Sequence, residues 1–282
     1  MTGCTKVSPG CAHCYIERTP AFRIAGRRFV DGATDLQLHA DRLEQPLHWK
    51  KPRRVFVNSL SDLFHDDVPD DFIDQVFAVM ALTPQHTYQV LTKRPQRMRE
   101  YLHRDAPWRW TRYMAHIGGK SIDSWGREYA AHRLDNVWLG VSVENQHFAD
   151  ARIPLLLQTP AAVRFISAEP LLGPVDVRFW LKRPYQVDNR VHPSLDWVIV
   201  GGESGPGARP FDLAAARAIV QQCQAAGVAC FVKQVGSNPF NVYVADRDGV
   251  FLGGAELPGI HDPKGGDPAE WPADLRVREY PV

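Results

Sequence analysis

Six short β-rich runs constrain what this 282-residue chain can fold into. They are Arg54-Val55-Phe56-Val57-Asn58, Thr87-Tyr88-Gln89-Val90-Leu91, Val137-Trp138-Leu139-Gly140-Val141-Ser142-Val143, Val163-Arg164-Phe165-Ile166-Ser167, Trp197-Val198-Ile199-Val200-Gly201 and Cys230-Phe231-Val232-Lys233-Gln234. Their apolar runs suit strands of a parallel sheet buried on both faces. Helical segments separate most of them. Asp70 to Leu82 reads as a helix capped by Asp70, with Phe72, Ile73, Val76, Phe77 and Met80 on one face. Pro95 opens a helix to His103. A helix from about Asn145 is interrupted or restarted at Pro154 and ends near Gln158, and Asp212 caps one that ends at Gly227. The alternation predicts an α/β fold, a partial or complete (β/α) barrel.

The flanks are less regular. Tyr15 to Ala25, ended by Gly26, and Asp41 to Trp49 are short helical candidates, with a turn over Arg27 to Ala33. Residues 104–135 break the rhythm as an insertion. Its Trp108-Arg109-Trp110-Thr111-Arg112-Tyr113 either stacks bases and holds phosphates or packs its aromatics onto the domain. Residues 1–236 are read as one domain and 237–282 as an extension packing on it. In that extension Val242–Ala245 and Val250–Leu252 suggest a hairpin around Asp248-Gly249, and residues 258–274 a loop.

The N-terminal stretch Gly3-Cys4-Thr5-Lys6-Val7-Ser8-Pro9-Gly10-Cys11-Ala12-His13-Cys14-Tyr15 holds three of the five cysteines, spaced C-x6-C-x2-C. Gly3, Pro9 and Gly10 predict a loop. Three clustered thiols without a local disulfide partner point to a metal site. One option is zinc with His13 as fourth ligand, but x6 exceeds the usual zinc spacing. Another is an iron–sulfur cluster, which three cysteines would leave with one iron open to a small molecule. The third is three unligated cysteines. Cys223 and Cys230 repeat the x6 spacing, but Leu213, Ala216, Val220 and Cys223 form one helical stripe and Cys230 opens a buried strand. They read as core. His39, His48 and His65 show no ligand-like spacing and read as surface or supporting residues.

In a (β/α) barrel the strands' C-terminal ends carry the chemistry. Here those ends are polar: Asn58, Ser59, Ser61 and Asp62; Thr92, Lys93 and Arg94; Ser142, Glu144 and Asn145; Ser167 and Glu169; Gly201, Gly202, Glu203 and Ser204; Lys233 and Gln234. They predict a polar pocket onto which the cysteine stretch opens. Simpler roles compete. Lys93 or Arg94 would form a salt bridge with Glu144, Glu169 or Asp62. Asn58 and Asp62 would cap the following turn. Glu203 would be a solvated loop acid.

The C-x2-C pair followed at once by Tyr15 resembles the radical S-adenosylmethionine (SAM) superfamily, whose common spacing is C-x3-C-x2-C. Longer phrases resemble a narrower, phage-associated, three-cysteine family classed as radical-SAM-like, without an established reaction. They are Thr2 to Cys11, Ser59-Leu60-Ser61-Asp62-Leu63-Phe64, Leu91-Thr92-Lys93-Arg94-Pro95, Ser167-Ala168-Glu169-Pro170-Leu171-Leu172-Gly173 and Gly201-Gly202-Glu203-Ser204-Gly205. The resemblance runs from Thr2 to about Gly236 and implies a partial or complete barrel of the radical SAM type. It implies a [4Fe-4S] cluster on Cys4, Cys11 and Cys14. It also implies a SAM site drawn from Tyr15, Asn58, Asp62, Lys93, Ser142, Glu144, Glu169, Gly201, Gly202, Glu203 and Lys233. Gly201-Gly202 would let backbone approach the ligand closely. In such barrels the cluster loop follows the first strand. Met1 lies only three residues before Cys4, so that strand is expected to be missing. A truncated protein or a mis-assigned start codon would explain this. The sheet edge beside Arg54–Asn58 would then be open and the cysteine loop mobile.

With 33 basic and 32 acidic residues, the whole chain carries no nucleic-acid signature. The charge is uneven: residues 1–54 hold ten basic and five acidic side chains, 94–133 nine and four, and 55–93 one and six. This is ordinary surface variation or a basic rim for a phosphate-bearing substrate. No apolar run reaches membrane-spanning length and there is no signal-peptide core, which predicts a cytoplasmic protein away from membranes. The expected function is radical-SAM catalysis fed by an external electron donor. Leu91-Thr92-Lys93 more distantly resembles the DNA-repairing spore-photoproduct-lyase branch, which makes a nucleic acid or nucleotide the first substrate expectation and a peptide the next. The rivals are a zinc-stabilised nucleic-acid-binding module, and a non-catalytic cluster-bearing partner in a phage or defence complex.

Overall fold

The computed structural model describes residues 1–104, 106–118, 133–181, 186–187, 190–191, 193–241, 244–245, 251–253 and 260–281. Strand β1 (Thr2–Thr5) pairs antiparallel with β2 (Ala33–Gln37). Next come β3 (Arg54–Val57), β4 (Thr87–Thr92), β5 (Val137–Ser142) and β6 (Val163–Ala168). The two-residue strands β7 (Gln186–Val187) and β8 (Arg190–Val191) pair with each other. They are followed by β9 (Trp197–Gly201), β10 (Phe211–Asp212) and β11 (Ala229–Gln234). All six runs read from sequence are strands, and they form one sheet in the order β11-β9-β6-β5-β4-β3. The order follows the chain without reversal, as in a (β/α) barrel and unlike a doubly wound sheet. The protein is a mixed α/β fold on a parallel six-stranded sheet, with β3 and β11 at its two ends.

The chain divides into two compact units. The first is Met1–Val141 with Leu155–Arg164. After a short helix α1 (Pro20–Ile24), α2 (Asp70–Leu82) buries Phe72, Ile73, Phe77 and Met80. Pro69, not Asp70, is its N-cap; Asp70 and Asp71 lie in the first turn, where negative charge suits the helix dipole. Helix α3 (Pro95–His103) has the expected bounds. Asp41 to Trp49 is not one helix but two 3-10 turns, Ala40–Arg42 and Gln45–His48. Helix α4 (Ala106–Gly118) lies in the predicted insertion. Its Trp110 is buried, stacks on Phe77 at 4.9 Å and donates from Nε1 to the Tyr101 hydroxyl at 2.9 Å. Arg109 pairs with Asp74 at 3.0 Å. This described part follows the packing alternative, although Trp108 is exposed. Residues 119–132 of the insertion lie outside the described residues.

The second unit is Ser142–Pro154 with Phe165–Val282. Strand β9 pairs in parallel with both β6 and β11. Helix α5 (Gln146–Leu157) runs unbroken through Pro154, against the expected interruption, and α6 (Arg178–Leu181) is a single turn. Helix α7 (Leu213–Ala226) obeys its local signals: Asp212 Oδ1 accepts from Ala214 N at 2.8 Å, and Gly227 closes it at φ 66°. Asp212→Ala is expected to cost about 1 kcal/mol, read as a lower urea midpoint at unchanged slope. Cys223 and Cys230 are both fully buried, as core residues should be.

The extension is more than a loop. Val232 N donates to Val277 O at 2.8 Å and Glu279 N to Cys230 O at 2.8 Å, covering the outer edge of β11. Trp271 and Leu275 are buried. Of the predicted hairpin, Val244–Ala245 pairs antiparallel with Phe251–Gly253; Asp248-Gly249 lies outside the described residues. Among the described residues no helix is long and apolar enough to cross a membrane.

Candidate metal centre and polar strand ends

Cys4 lies on β1, so the cysteine stretch is not all loop. Gly3 is required there: its φ is 109°, and a Cβ would meet the Asp35 carbonyl oxygen at 2.0 Å. Gly3 N donates to Leu60 O at 3.0 Å, and Gly3 bridges Ser61 in parallel. Tyr15 donates its hydroxyl proton to the Ser59 carbonyl. The expected loop is therefore corrected at its start, where Cys4 is part of a paired strand. Cys4 sits in a strand that β2 and the segment after β3 hold in place. Strand β3 is nonetheless an end strand of the sheet, as expected.

Cys11 closes the 3-10 turn Pro9–Cys11, and Cys14 stands at the N-cap of the turn Tyr15–Arg18. Cys14 N donates to Cys11 O at 3.3 Å. All three thiols are free and partly buried. Burial pushes the Cys4 thiol up to about 11; Asp62 and Cys11 add to the rise, and Arg94 opposes it. Burial also pushes Cys14 up, with Cys11 adding while a backbone hydrogen bond, Lys93 and Lys6 oppose it. Cys11 thus acts electrostatically on both other cysteines. Among the described residues no three His, Cys, Asp or Glu side chains are arranged to hold a metal ion.

Asp62 organises the ends of β3 and β4. Its Oδ1 accepts from Phe64 N at 3.0 Å and Thr92 Oγ1 at 2.7 Å. Its Oδ2 accepts from Lys93 N at 3.0 Å and Arg94 Nη1 at 3.1 Å. The turn-capping and salt-bridge alternatives both hold for Asp62. Arg94 Nη2 also donates to Thr5 O at 3.3 Å. His65 is buried, with Nε2 2.8 Å from Thr5 Oγ1 and Nδ1 accepting from Asp67 N at 3.2 Å. Burial, then Arg94, lowers its pKa, in keeping with a neutral ring. The sequence did not single out His65 as bonded to the residue after Cys4, because its partners are remote in the chain. Asn58 lines a cavity of about 160 Å³ with Met1, His39, Val57, Phe72 and Tyr88, and its buried Nδ2 has no hydrogen-bond partner among the described residues.

In the second unit the polar residues fall into separate pairs. Glu144 is fully buried; Arg152 Nη1 donates to its Oε2 at 3.0 Å and to Ser142 O at 2.8 Å. Glu203 is gripped by Arg209, Nη2 to Oε1 at 2.8 Å and Nε to Oε2 at 3.1 Å, so it is not a solvated loop acid. Glu169 Oε2 accepts from Ser167 Oγ at 2.9 Å, and Lys233 Nζ stands 3.3 Å from Oε1. A Cβ on Gly201 would meet Glu169 Oε1 at 2.6 Å, and one on Gly202 the Val235 carbonyl oxygen at 2.6 Å. The close approach that these glycines permit is made by the protein's own groups. Arg152 was missed, yet it interrupts a stripe of Ala149, Ile153 and Leu156, and a cation on a buried face announces a buried partner.

A family model described as "Protein of unknown function (DUF5131)" matches residues 1–259. No curated protein and no solved structure matches the chain.

Proposed function

Since the chain belongs to that family, whose function is unknown, we propose from its own residues that it is an iron–sulfur enzyme using SAM for radical chemistry. The observation that carries this is geometric: Cys11 and Cys14 lie on adjoining turns joined by the Cys14 N to Cys11 O bond at 3.3 Å, and the Cys4 thiol shares the Thr5 carbonyl with Arg94. Three thiolates are anionic ligands, and nearby cations offset that charge. When bound, a [4Fe-4S] cluster with three cysteine ligands supplies an open iron for SAM and one-electron cleavage of its carbon–sulfur bond. Cys4, Cys11 and Cys14 would hold the cluster. Tyr15, tied to Ser59, orients the turn that begins at Cys14. Within the second unit, Glu169 and Lys233 set an acid beside a cation at 3.3 Å. Glu144 and Glu203 are engaged by arginines and serve to order the backbone around them.

The deciding experiment is anaerobic reconstitution with ferrous iron and sulfide, followed by dithionite as electron donor and SAM. A broad absorption near about 400 nm and cleavage of SAM are expected. A colourless protein that carries zinc overturns the reading in favour of a binding module. A cluster without SAM cleavage leaves a non-catalytic partner protein.

The substrate class follows from charge. Residues 1–54 carry twice as many basic as acidic side chains, and Arg23, Arg28, Lys50 and Lys51 are exposed. A nucleic acid or nucleotide is the substrate this favours. Single-stranded DNA is expected to bind at low salt, with affinity falling steeply between 50 and 200 mM, by roughly 10³-fold or more if about six phosphates are neutralised. No binding at low salt, or a flat response, would remove nucleic acid from the proposal.

A further inference from the structure

The three cysteines are not equivalent, and the difference lies in Arg94. Cys4 is on a strand, whereas Cys11 and Cys14 are on turns. The Thr5 carbonyl accepts both from the Cys4 thiol, at 3.6 Å, and from Arg94 Nη2, at 3.3 Å. The guanidinium and the sulfur therefore meet at one oxygen. Arg94 cannot drift from this position. Asp62 holds its Nη1 at 3.1 Å, and its backbone N donates to Thr92 Oγ1 at 2.9 Å. Both side chains of the Arg94–Asp62 pair are below 10% exposed. From the other side, His65 holds the Thr5 hydroxyl at 2.8 Å.

We infer that Arg94 is the positioning residue of Cys4: pinned by Asp62, it fixes the strand that carries Cys4 and offers an N–H to the sulfur once that sulfur is a metal ligand. This rests on the reading of the cysteines as iron ligands. A coordinated sulfur carries no proton to give Thr5 O, so it becomes an acceptor, and the guanidinium is the donor beside it. Donors to ligand sulfurs set the reduction potential of iron–sulfur centres, and partners that orient ligands govern affinity. Arg94 is thus a supporting group acting through Cys4.

The test compares wild type, Arg94→Lys, Arg94→Gln and the double variant Asp62→Asn/Arg94→Gln after anaerobic reconstitution with ferrous iron and sulfide. Iron retention against EDTA, the midpoint potential and thermal stability are measured together. Arg94→Gln is expected to weaken iron retention about 10–100-fold and to move the potential to more negative values. It also leaves Asp62 buried without its cation, so a stability loss alone would not separate the roles. The double variant does. It removes the stranded charge, so part of the stability should return, the rest staying lost because the Asn nitrogen cannot accept where a carboxylate oxygen did, while iron retention and potential stay displaced. Arg94→Lys keeps the charge without the fork and is expected to fall between wild type and Arg94→Gln. A double variant with wild-type iron retention and potential would overturn the inference while leaving the cluster reading intact. Wild-type protein that takes up no iron would overturn the cluster reading and the inference with it.

Discussion

Cys11→Ala is expected to abolish iron binding outright, and Cys4→Ala and Cys14→Ala to do the same. Cys11 is the informative position because it influences both of the other thiols. It sits between them in the chain, and its carbonyl accepts the Cys14 amide at 3.3 Å. With two of its three thiolates left, a four-iron cluster loses its hold on the chain, because iron–sulfur centres depend on their thiolate set. Cys223→Ala and Cys230→Ala are the controls. Both side chains are fully buried, away from solvent, and their pairing with one another is a core contact. Iron per chain should be unchanged in both, with only a modest loss of stability from the smaller side chain. Iron and acid-labile sulfide per chain, together with far-ultraviolet circular dichroism to verify folding, give the result. Folded Cys11→Ala protein that keeps a wild-type iron content would sink the ligand assignment.

Arg152→Ala is expected to destabilise the protein by about 3–5 kcal/mol, whatever the reaction. The substitution leaves the Glu144 carboxylate at 0% exposure without the cation that stands 3.0 Å away. It also removes the donor to Ser142 O and the guanidinium stacked 4.2 Å above the Phe148 ring. The cost is mainly that of a buried carboxylate losing its arginine, not the net value of the pair. Replacing both partners, Glu144→Gln with Arg152→Met, should therefore recover much of the loss. Urea unfolding of the three proteins checks this. A loss under about 1 kcal/mol for Arg152→Ala would mean that Glu144 finds water or another donor.

Helix α7 and the six sheet strands could be read in the sequence because their signals are local. Asp212, the stripe of Leu213, Ala216, Val220 and Cys223, and Gly227 lie within one short segment. Each strand run is apolar by itself, and the sequential sheet order follows from the alternation with helices. The cysteine spacing and the polar strand ends were legible for the same reason.

What the tertiary structure decided depends on partners distant in sequence. Ala33-Thr34-Asp35-Leu36-Gln37 has no strand signature, yet it is β2 because β1 lies beside it. Pro154 should break α5, but Ala149, Ile153 and Leu156 are fully buried around it, and that packing outweighs the missing hydrogen bond. Burying residues 271 and 275 and covering β11 gave the extension a structural part that its Pro- and Gly-rich composition did not announce. The acids show the limit most plainly. Asp62, Glu144, Glu169 and Glu203 look alike at the ends of strands. Only folding gave Asp62 to Arg94, Glu144 to Arg152, Glu169 to Lys233 and Glu203 to Arg209. Residue type and local pattern determined that these ends would be polar. Which charge meets which is set by Coulomb attraction and desolvation between groups that the chain brings together only when it is folded.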